Sequence, residues 1–292
     1  MTSNYQFTYS KKKELISLFS ELPFLIFCIF FYFPVVLKFR YDLKKIFDKK
    51  KKILVLGNGP SLKKDLKKIN VNNQLFVLNN FPSQKNFFKL KPKFICWIDS
   101  MYSSNKKKLS NELRLSISKT FYSLNKANWK IFIFVTKNLE KKINSKLLNK
   151  NIKLIRIPKI FYDFESSICL NVLSFFYIPP PNINVLITAT YISILSGIKK
   201  IDLFGADMNL FHSIQVDQRN NQVYSYYTHF YKNKKKKFTD KFKNRRPKSI
   251  YVNFIRQASG FKWFAYLSIL ARNLKISLKN KSSYSMIDAI ER

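Results

Sequence analysis

The chain has 292 residues, 46 % of them hydrophobic and only 5 of them glycine, which excludes a low-complexity or disordered protein. Its 54 lysines and arginines outnumber its 16 acidic residues and give a formal net charge of +38. Such a charge predicts attraction to acidic lipids, nucleic acids or phosphorylated substrates, although a bias toward AT-rich codons explains the lysine content equally well.

The three cysteines, Cys28, Cys96 and Cys169, are far apart in the sequence and form no Cys-x-x-Cys or Cys/His cluster. This spacing argues against a disulfide framework and against a structural zinc site, so we expect a reducing compartment.

An uncharged apolar run at residues 22–37 lies between basic clusters. As a helix it would reach about 24 Å, which is short of a hydrocarbon core of about 30 Å. Pro23 is expected to start this helix and Pro34 to kink or end it. The late start of the run and the lack of a small-residue cleavage site argue against a signal peptide.

We therefore expect residues 1–50 to form a membrane-associating segment in front of one domain at residues 51–292. A short span, a helix lying in the membrane interface and a buried helix pair all fit this segment. Because the heavier positive charge follows the apolar run, we expect the domain at the cytoplasmic face of the bacterial inner membrane, held peripherally or by a single short anchor.

Seven apolar runs, each bounded by polar or turn residues, predict buried β-strands. They are residues 52–59, 74–81, 93–100, 130–137, 152–158, 199–207 and 274–280. Residues 184–197, ending on Gly197 as a C-cap, and residues 250–272 have helical patterns. This alternation predicts an α/β fold, Rossmann-like, with a mostly parallel sheet and helices on both faces.

Residues 212–231 break this rhythm, because Asn220 and Asn221 separate two alternating runs and so predict a β-hairpin. Residues 232–247 are too charged for a core, and we interpret them as a mobile loop or lid. The predicted lid covers about residues 212–248.

Polar or glycine-containing groups follow five of the seven predicted strands, at the sheet edge where open parallel sheets bind ligands. Gly57 and Gly59 allow a ligand to approach the backbone, and Ser61 or Pro60 can open a helix whose N–H groups face a phosphate. A tight turn that uses its glycines only for geometry is the alternative. The other groups are residues 79–80, 99–100, 205–207 and 280–283.

Four segments resemble the bacterial lipooligosaccharide sialyltransferases, glycosyltransferase family 42, and the related hydroxymethylpterin pyrophosphokinase-like domains. The segments are "KKILVLGNGPSLK", "FVLNNF", "ATYISILSGIKKIDLFGADM" and "LKISLKNKSSYSMIDAIE", and they run from residue 51 almost to the last residue. The first is the most specific, and the others are specific mainly in their order.

The resemblance implies one Rossmann-like domain with a flexible lid, which transfers sialic acid from CMP-sialic acid to a glycan hydroxyl without a metal or a cofactor. Asp207 would lie by the reaction centre. Together with the strand-end pattern, the resemblance gives these expected donor-binding residues: Gly57, Asn58, Gly59, Ser61, Asn79, Asn80, Gly205, Ser282 and Ser283.

In the family, tyrosines that assist the departing phosphate follow the Gly-x-Asp element. Here Met208 and Asn209 follow it instead. Hairpin tyrosines are the expected replacements, with Tyr227 and Tyr231 preferred over Tyr224 and Tyr226. The family's donor-contacting "TSG" is also absent, and Thr188 and Thr190 are the hydroxyls of that region. A CMP-activated acidic sugar is the first expectation, and another nucleotide sugar is the alternative.

The transfer needs a base, and the chain has two histidines, His212 and His229. We predict His229, because the family's histidine base also lies beyond the Gly-x-Asp strand, in the lid. Arg245, Arg246 and lid lysines are candidates to stabilise the leaving phosphate, for which the sequence offers no metal-binding DxD motif.

The sequence thus predicts a metal-independent glycosyltransferase with three partners: a nucleotide-sugar donor, a glycan or lipid-linked glycan acceptor, and an anionic membrane surface. Homo-oligomerisation is left open. One alternative is a pyrophosphokinase-like phosphoryl transferase, which would need clustered magnesium ligands that the sequence lacks. Another is a basic nucleic-acid-binding protein, but no known binding motif is present, so no nucleic-acid partner is expected.

Overall fold

The computed structural model describes residues 11–103, 109–160, 162–181, 183–229, 232–237 and 250–292. Within them the chain forms a seven-stranded sheet and a separate three-stranded sheet. The strands are β1 (Ile53–Leu56), β2 (Gln74–Leu78), β3 (Phe94–Trp97), β4 (Ile131–Val135), β5 (Ile152–Arg156), β6 (Lys200–Phe204), β7 (Ile214–Asp217), β8 (Gln222–His229), β9 (Lys232–Lys237) and β10 (Ser277–Asn280).

The large sheet is parallel throughout, in the order β10-β6-β1-β2-β3-β4-β5. All seven predicted strands are present, which confirms the predicted fold class. Strands β1 to β4 are buried along their whole length. They could be recognised as apolar runs because a strand covered on both faces needs apolar side chains on both.

Helices cover both faces of this sheet. They are α1 (Lys11–Phe27), α2 (Phe33–Ile46), α3 (Leu62–Asp65), α4 (Asn86–Leu90), α5 (Asn111–Lys126), α6 (Lys137–Ile143), α7 (Ser167–Phe175), α8 (Val185–Leu195) and α9 (Ile250–Asn273). Along β1, Ile53 and Val55 pack with α1, α2, α7, α8 and α9, whereas Leu54 and Leu56 pack with α3 to α6. The predicted helices at residues 184–197 and 250–272 correspond to α8 and α9.

The predicted hairpin is confirmed, since β7 and β8 pair antiparallel with Asp217 opposite Gln222. The prediction of a loop at residues 232–247 is wrong for its first six residues, which form β9 and pair with β8 from Tyr224↔Lys237 to His229↔Lys232. Strand β9 is at the edge of its sheet, and lysines are common on exposed edge strands because they discourage pairing with other chains. Residues 238–249 lie outside the described ranges.

The helix that carries the apolar run starts before Pro23, so the expected helix start is wrong, and it continues past Pro34 as α2 after its α-helical pattern is interrupted at Cys28–Tyr32. Pro23 lies inside α1, and Pro34 is in the first turn of α2, where its missing N–H is tolerated. A short π-helix, Cys28–Tyr32, joins the two helices, and such wider turns absorb irregular hydrogen bonding. Among the described residues, one helical stretch, Lys12–Ile46, is long and apolar enough to cross a membrane, by length and composition alone.

One stripe of this N-terminal helix packs into the core of the domain. Its buried members are Glu21, Leu25, Cys28, Val36, Phe39 and Leu43. Glu21 accepts hydrogen bonds from the backbone N–H groups of Glu165 (2.6 Å) and Ser166 (3.1 Å), and Glu14 accepts from Ile168 N–H (3.2 Å). Two carboxylates of α1 thus cap the N-terminus of α7, where negative charge is favourable.

Candidate active site

The strand order reverses next to β1, because the chain adds β2 to β5 on one side of it and β6 and β10 on the other. Open α/β sheets bind ligands at the carboxyl edge of such a switch point. The polar loops that follow β10, β6, β1, β2 and β3 are therefore neighbours at this edge. The predicted donor-binding residues from Gly57 to Ser283 all belong to four of these loops.

The loop after β1 packs directly on the loop after β6. The N–H of Gly57 donates to the carbonyl of Phe204 (2.7 Å), and that of Gly59 donates to the carbonyl of Gly205 (2.9 Å). A Cβ on Gly59 would lie 2.6 Å from the oxygen of Gly205 and would also overlap the Asp207 carboxyl. Gly205 has φ +62°, in the left-handed region. This close packing of the two backbones is sufficient to explain why glycine stands at positions 57, 59 and 205.

Asp207 lies against the start of α3 and is buried. Its carboxylate accepts the backbone N–H of Ser61 (2.8 Å) and the Ser61 hydroxyl. Burial raises the pKa of Asp207, the two hydrogen bonds from Ser61 oppose this rise, and the nearby charge of Asp65 adds to it. The backbone N–H of Ser61, which we expected to face a phosphate, thus donates to the side chain of Asp207.

Asp65 is a fully buried carboxylate that sequence reasoning missed. It accepts the N–H groups of Gly205 (3.2 Å) and Ser283 (3.0 Å) and the hydroxyl of Ser283, and its Oδ2 lies 3.1 Å from the Ser61 hydroxyl oxygen, whose single proton goes to Asp207. It therefore ties together the loops after β1, β6 and β10. The only signal in the sequence is an acidic residue four positions after Ser61 in a lysine-rich segment.

The loop after β10 is held by its serines. The Ser282 hydroxyl accepts the N–H of Ala206 (2.9 Å), and the Ser285 hydroxyl donates to the carbonyl of Ala206 (2.6 Å). Lys68, an exposed cation, donates to the hydroxyl of Ser283 (3.0 Å) and lies 3.4 Å from Asp65. Ser283 is thus beside a positive charge at the edge of the sheet.

The two asparagines after β2 face different environments. Asn80 is buried, and its side-chain oxygen accepts the hydroxyl of Tyr102 (2.8 Å) in the interior. Asn79 has a left-handed backbone, φ 48°, which is held by Trp97 Nε1–H donating to its carbonyl (2.8 Å). The side-chain oxygen of Asn79 is buried and accepts no hydrogen bond from any residue in the described ranges.

Asn58 reaches across from the loop after β1 toward Asn79. Its Nδ2 lies 3.5 Å from the carbonyl oxygen of Leu78, the residue before Asn79. Asn58 and Asn79 therefore follow adjacent strands at the same edge of the sheet. Carboxamides can both donate and accept, as recognition of a base or a ribose requires.

Thr188 and Thr190 are turned into their own helix, α8. Their hydroxyls donate to the carbonyls of Asn184 (3.2 Å) and Leu186 (2.8 Å), and both residues are buried. Asn184 caps this helix by accepting Leu186 N–H (2.8 Å).

The two histidines lie on consecutive elements after β6. His212 is exposed in the turn Leu210–Ser213, and its ring is edge-on to Tyr284, with 5.9 Å between ring centroids. Tyr284 follows Ser283, so His212 borders the loop after β10. His229 is the last residue of β8, a strand that also contacts the Leu210–Ser213 turn.

Tyr227 lies on β8 as well, two residues before His229. Tyr231, Arg245 and Arg246 lie outside the described residues. Within the ranges that the structure covers, no three histidine, cysteine or acidic side chains gather into a group that could hold a metal ion.

No protein-family model matches the sequence, and no curated protein matches it. Among solved structures, the chain is similar to the sialyltransferase CstII from Campylobacter jejuni in complex with cytidine-5'-monophosphate, with 16 % identity, a TM-score of 0.41 and coverage of 84 % of this chain and 86 % of that one. The monofunctional alpha-2,3-sialyltransferase Cst-I of the same organism has 15 % identity and a TM-score of 0.38, with 83 % and 80 % covered.

A MAf glycosyltransferase from Magnetospirillum magneticum AMB-1 has 11 % identity and a TM-score of 0.43, with 82 % of this chain but only 33 % of that chain covered. The Campylobacter proteins are sialyltransferases, the class that the sequence motifs resemble. With identities below 25 % and TM-scores below 0.5, these matches are a likeness of fold alone.

Proposed function

We propose that this protein is a glycosyltransferase that binds a nucleotide-sugar donor at the carboxyl edge of β1, β2, β6 and β10. The observation that carries the proposal is the buried side-chain oxygen of Asn79, which has no hydrogen-bond donor among the described residues. A buried acceptor without a partner is costly. A hydroxyl or amino group of a bound nucleoside would satisfy it.

The strand-end residues divide into two roles in this proposal. Asn58 and Asn79 are assigned to the donor, because they follow β1 and β2 at the carboxyl edge of the sheet. Gly57, Gly59, Ser61, Gly205 and Asp207 shape the loops that present them, because their polar groups already bond to one another. Lys68 donates to the hydroxyl of Ser283 (3.0 Å), and in the proposal this cation stabilises an anionic phosphate of the donor.

The proposed reaction transfers an acidic sugar, first of all sialic acid, from a CMP-sugar to a hydroxyl of a surface glycan. A bond forms between the acceptor oxygen and the anomeric carbon, while the bond from that carbon to the CMP phosphate oxygen breaks. The electron pair leaves on the phosphate, and a base takes the acceptor proton. No metal is invoked, because Tyr227, Tyr231 and the lysines of β9 would stabilise the leaving phosphate.

His229 is the proposed base, and His212 is its competitor. His229 is two residues from Tyr227 on the strand that leads into the lysine-rich β9. His212 borders the loop that carries Ser283. His229→Ala should abolish transfer and leave donor binding intact, whereas His212→Ala should retain transfer. The reverse result would assign the base to His212.

A donor screen tests the activity itself. The purified full chain is incubated with CMP-sugars, UDP-sugars or ATP, with and without EDTA, and nucleotide release is measured. Turnover of a CMP-sugar that EDTA does not inhibit is the expected result. Magnesium-dependent cleavage of ATP would replace the proposal with a pyrophosphokinase-like activity, and turnover of a UDP-sugar would correct the donor.

The Asn79 side chain is tested by two substitutions that separate chemistry from backbone strain. Asn79→Gly keeps the left-handed backbone accessible and removes the carboxamide, whereas Asn79→Ala removes the carboxamide and strains the backbone as well. Both should weaken CMP binding about tenfold or more, equivalent to ~1.4 kcal/mol, but only Asn79→Ala should also lower the melting temperature. Unchanged CMP affinity in Asn79→Gly, measured by calorimetry, would remove Asn79 from the donor site.

A further inference from the structure

The outer face of the N-terminal helix exposes a large group of apolar side chains. Phe30 is 72 % exposed, Phe19 67 % and Phe31 65 %, which is high for phenylalanine in a folded protein. The other large apolar residues exposed between residues 15 and 37 are Leu15, Ile16, Leu22, Phe24, Ile26, Phe27, Val35 and Leu37. We call this surface the outer face of α1–α2.

Charges border this outer face but do not interrupt it. Glu14, just before this face, and Glu21, within its length, are the nearest acidic residues on α1, and both bond to the start of α7 instead. Exposed lysines stand at both ends: Lys12 and Lys13 before it, and Lys38, Lys44 and Lys45 after it. An apolar centre with basic ends is the pattern of a helix that lies at the surface of an anionic bilayer.

The opposite stripe of the same helix excludes a simple crossing of the membrane. Leu25, Cys28, Val36, Phe39 and Leu43 belong to the same apolar cluster as the sheet, so the helix is packed on the domain along both α1 and α2. Crossing would pull this stripe out of the core. It would also place the carboxylate of Glu21 in the hydrocarbon layer and uncap the N-terminus of α7.

We infer that the chain binds an anionic membrane through the outer face of α1–α2, with the helix lying in the plane of the interface and not spanning it. Phenylalanines of the outer face enter the acyl layer, and the flanking lysines contact lipid phosphates of the same leaflet. This binding mode fixes the catalytic domain against the membrane surface and does not depend on which sugar the domain transfers.

Vesicle flotation tests the binding surface. The full chain should float with vesicles of phosphatidylcholine and phosphatidylglycerol and bind pure phosphatidylcholine at least tenfold more weakly. The double variant Phe30→Asp, Phe31→Asp should lose at least tenfold in affinity for the anionic vesicles. Leu148→Asp is the matched control, because Leu148 is 83 % exposed outside the outer face, and its affinity should not change.

Equal binding by the double variant and the wild type would overturn the inference. So would a wild type that binds no vesicles and instead forms a dimer that the double variant abolishes, because the outer face would then be a protein interface. Circular dichroism melts of both variants verify the fold, which substitutions at positions so exposed should leave intact.

Topology mapping tests the in-plane orientation. Epitope tags at the N-terminus and at the C-terminus of the full chain are treated with protease in inverted membrane vesicles. In-plane binding requires both tags to be digested together. Digestion of the C-terminal tag with protection of the N-terminal tag would show a spanning helix and overturn the inference.

Discussion

Asp207 shows how neighbouring groups determine the chemistry of a single carboxylate. It is buried, two groups of Ser61 donate to it, and its loop packs against Gly59. The resemblance to sialyltransferases assigns it to the reaction centre, and this role stays a prediction. In the structure, the Asp207 carboxylate joins the loops after β1 and β6, so its replacement tests stability as well as activity.

The free energy of unfolding should depend on pH through the ionisation of Asp207. Burial raises the pKa of this carboxyl above its ordinary 3.8, so the folded chain holds the proton more tightly than the unfolded chain does. The contribution of this group therefore favours folding most at low pH and declines as the pH rises through the raised pKa. Relative to Asp207→Asn, which cannot titrate, the wild type should lose ~1.4 kcal/mol for each unit of the shift.

Urea unfolding of the wild type and Asp207→Asn between pH 4 and pH 7 measures this difference. Ser61→Ala sharpens the test, because losing the hydroxyl donor should raise the pKa of Asp207 further and steepen the decline. Parallel stability curves for the wild type and Asp207→Asn would show that Asp207 has an ordinary pKa.

At the scale of elements, the backbones of the loops after β1 and β6 are in direct contact and leave no room for a side chain at Gly59. Gly59→Ala would insert a methyl group 2.6 Å from the oxygen of Gly205, against backbone that cannot move freely. We expect a loss of ~3 kcal/mol in the free energy of unfolding. The matched control is Gly260→Ala, where the new methyl would meet only the end of the flexible Met208 side chain at 3.1 Å.

Gly260 is inside α9, where alanine is the better helix former, so Gly260→Ala should change stability by less than ~1 kcal/mol. Chemical denaturation of both variants gives the comparison. Equal effects of the two substitutions would contradict the close packing of the loops after β1 and β6.

All seven strands of the large sheet could be predicted from the sequence, and the elements outside it that could not be predicted have physical causes. Strands β1 to β6 and β10 are short apolar runs with polar ends, a local signal. Strand β9 has no such signal, because at a sheet edge the backbone pairing with β8 suffices even for a lysine-rich segment. The continuation of α1 past Pro23 and into α2 depends on a π-helical turn and on packing against α7 and α8.

The candidate site was predictable only in part, because some of its contacts join residues that are far apart in the sequence. Gly57, Asn58, Asn79 and Ser283 could be expected at one edge because parallel strands end together there. The role of Asp65 could not, since its bonds reach Gly205, 140 positions away, and Ser283, 218 positions away. Likewise, only the fold shows that the side chain of Asn80 bonds to Tyr102 in the interior and that Asp207 accepts the backbone N–H of Ser61.

At the scale of the whole molecule, the N-terminal helix contributes to the core and to helix capping together. Glu21→Ala would leave the backbone N–H groups of Glu165 and Ser166 without their acceptor. The expected cost is ~1–3 kcal/mol, and the main melting transition should fall by at least about 2 °C.

Glu140→Ala is the control for Glu21→Ala. Glu140 forms a salt bridge with Arg156 that is open to solvent, and such pairs contribute ~0–1 kcal/mol. Differential scanning calorimetry compares the two variants. A Glu21→Ala protein that melts like the wild type, with only its helix frayed, would show that the N-terminal helix is not coupled to the domain.

The bonds of Asp65 also have a consequence during synthesis on the ribosome. Its partner Ser283 is made 218 residues later, which at ~5–20 residues per second is a delay of roughly 10–40 s. Throughout that interval a nascent chain can pair β1 with β2 but cannot close the loop that holds Lys68 beside Ser283. The contacts that join the loops after β1, β6 and β10 therefore form only after Ser283 has been made, and a chain stalled before residue 283 would contain most of the large sheet without them.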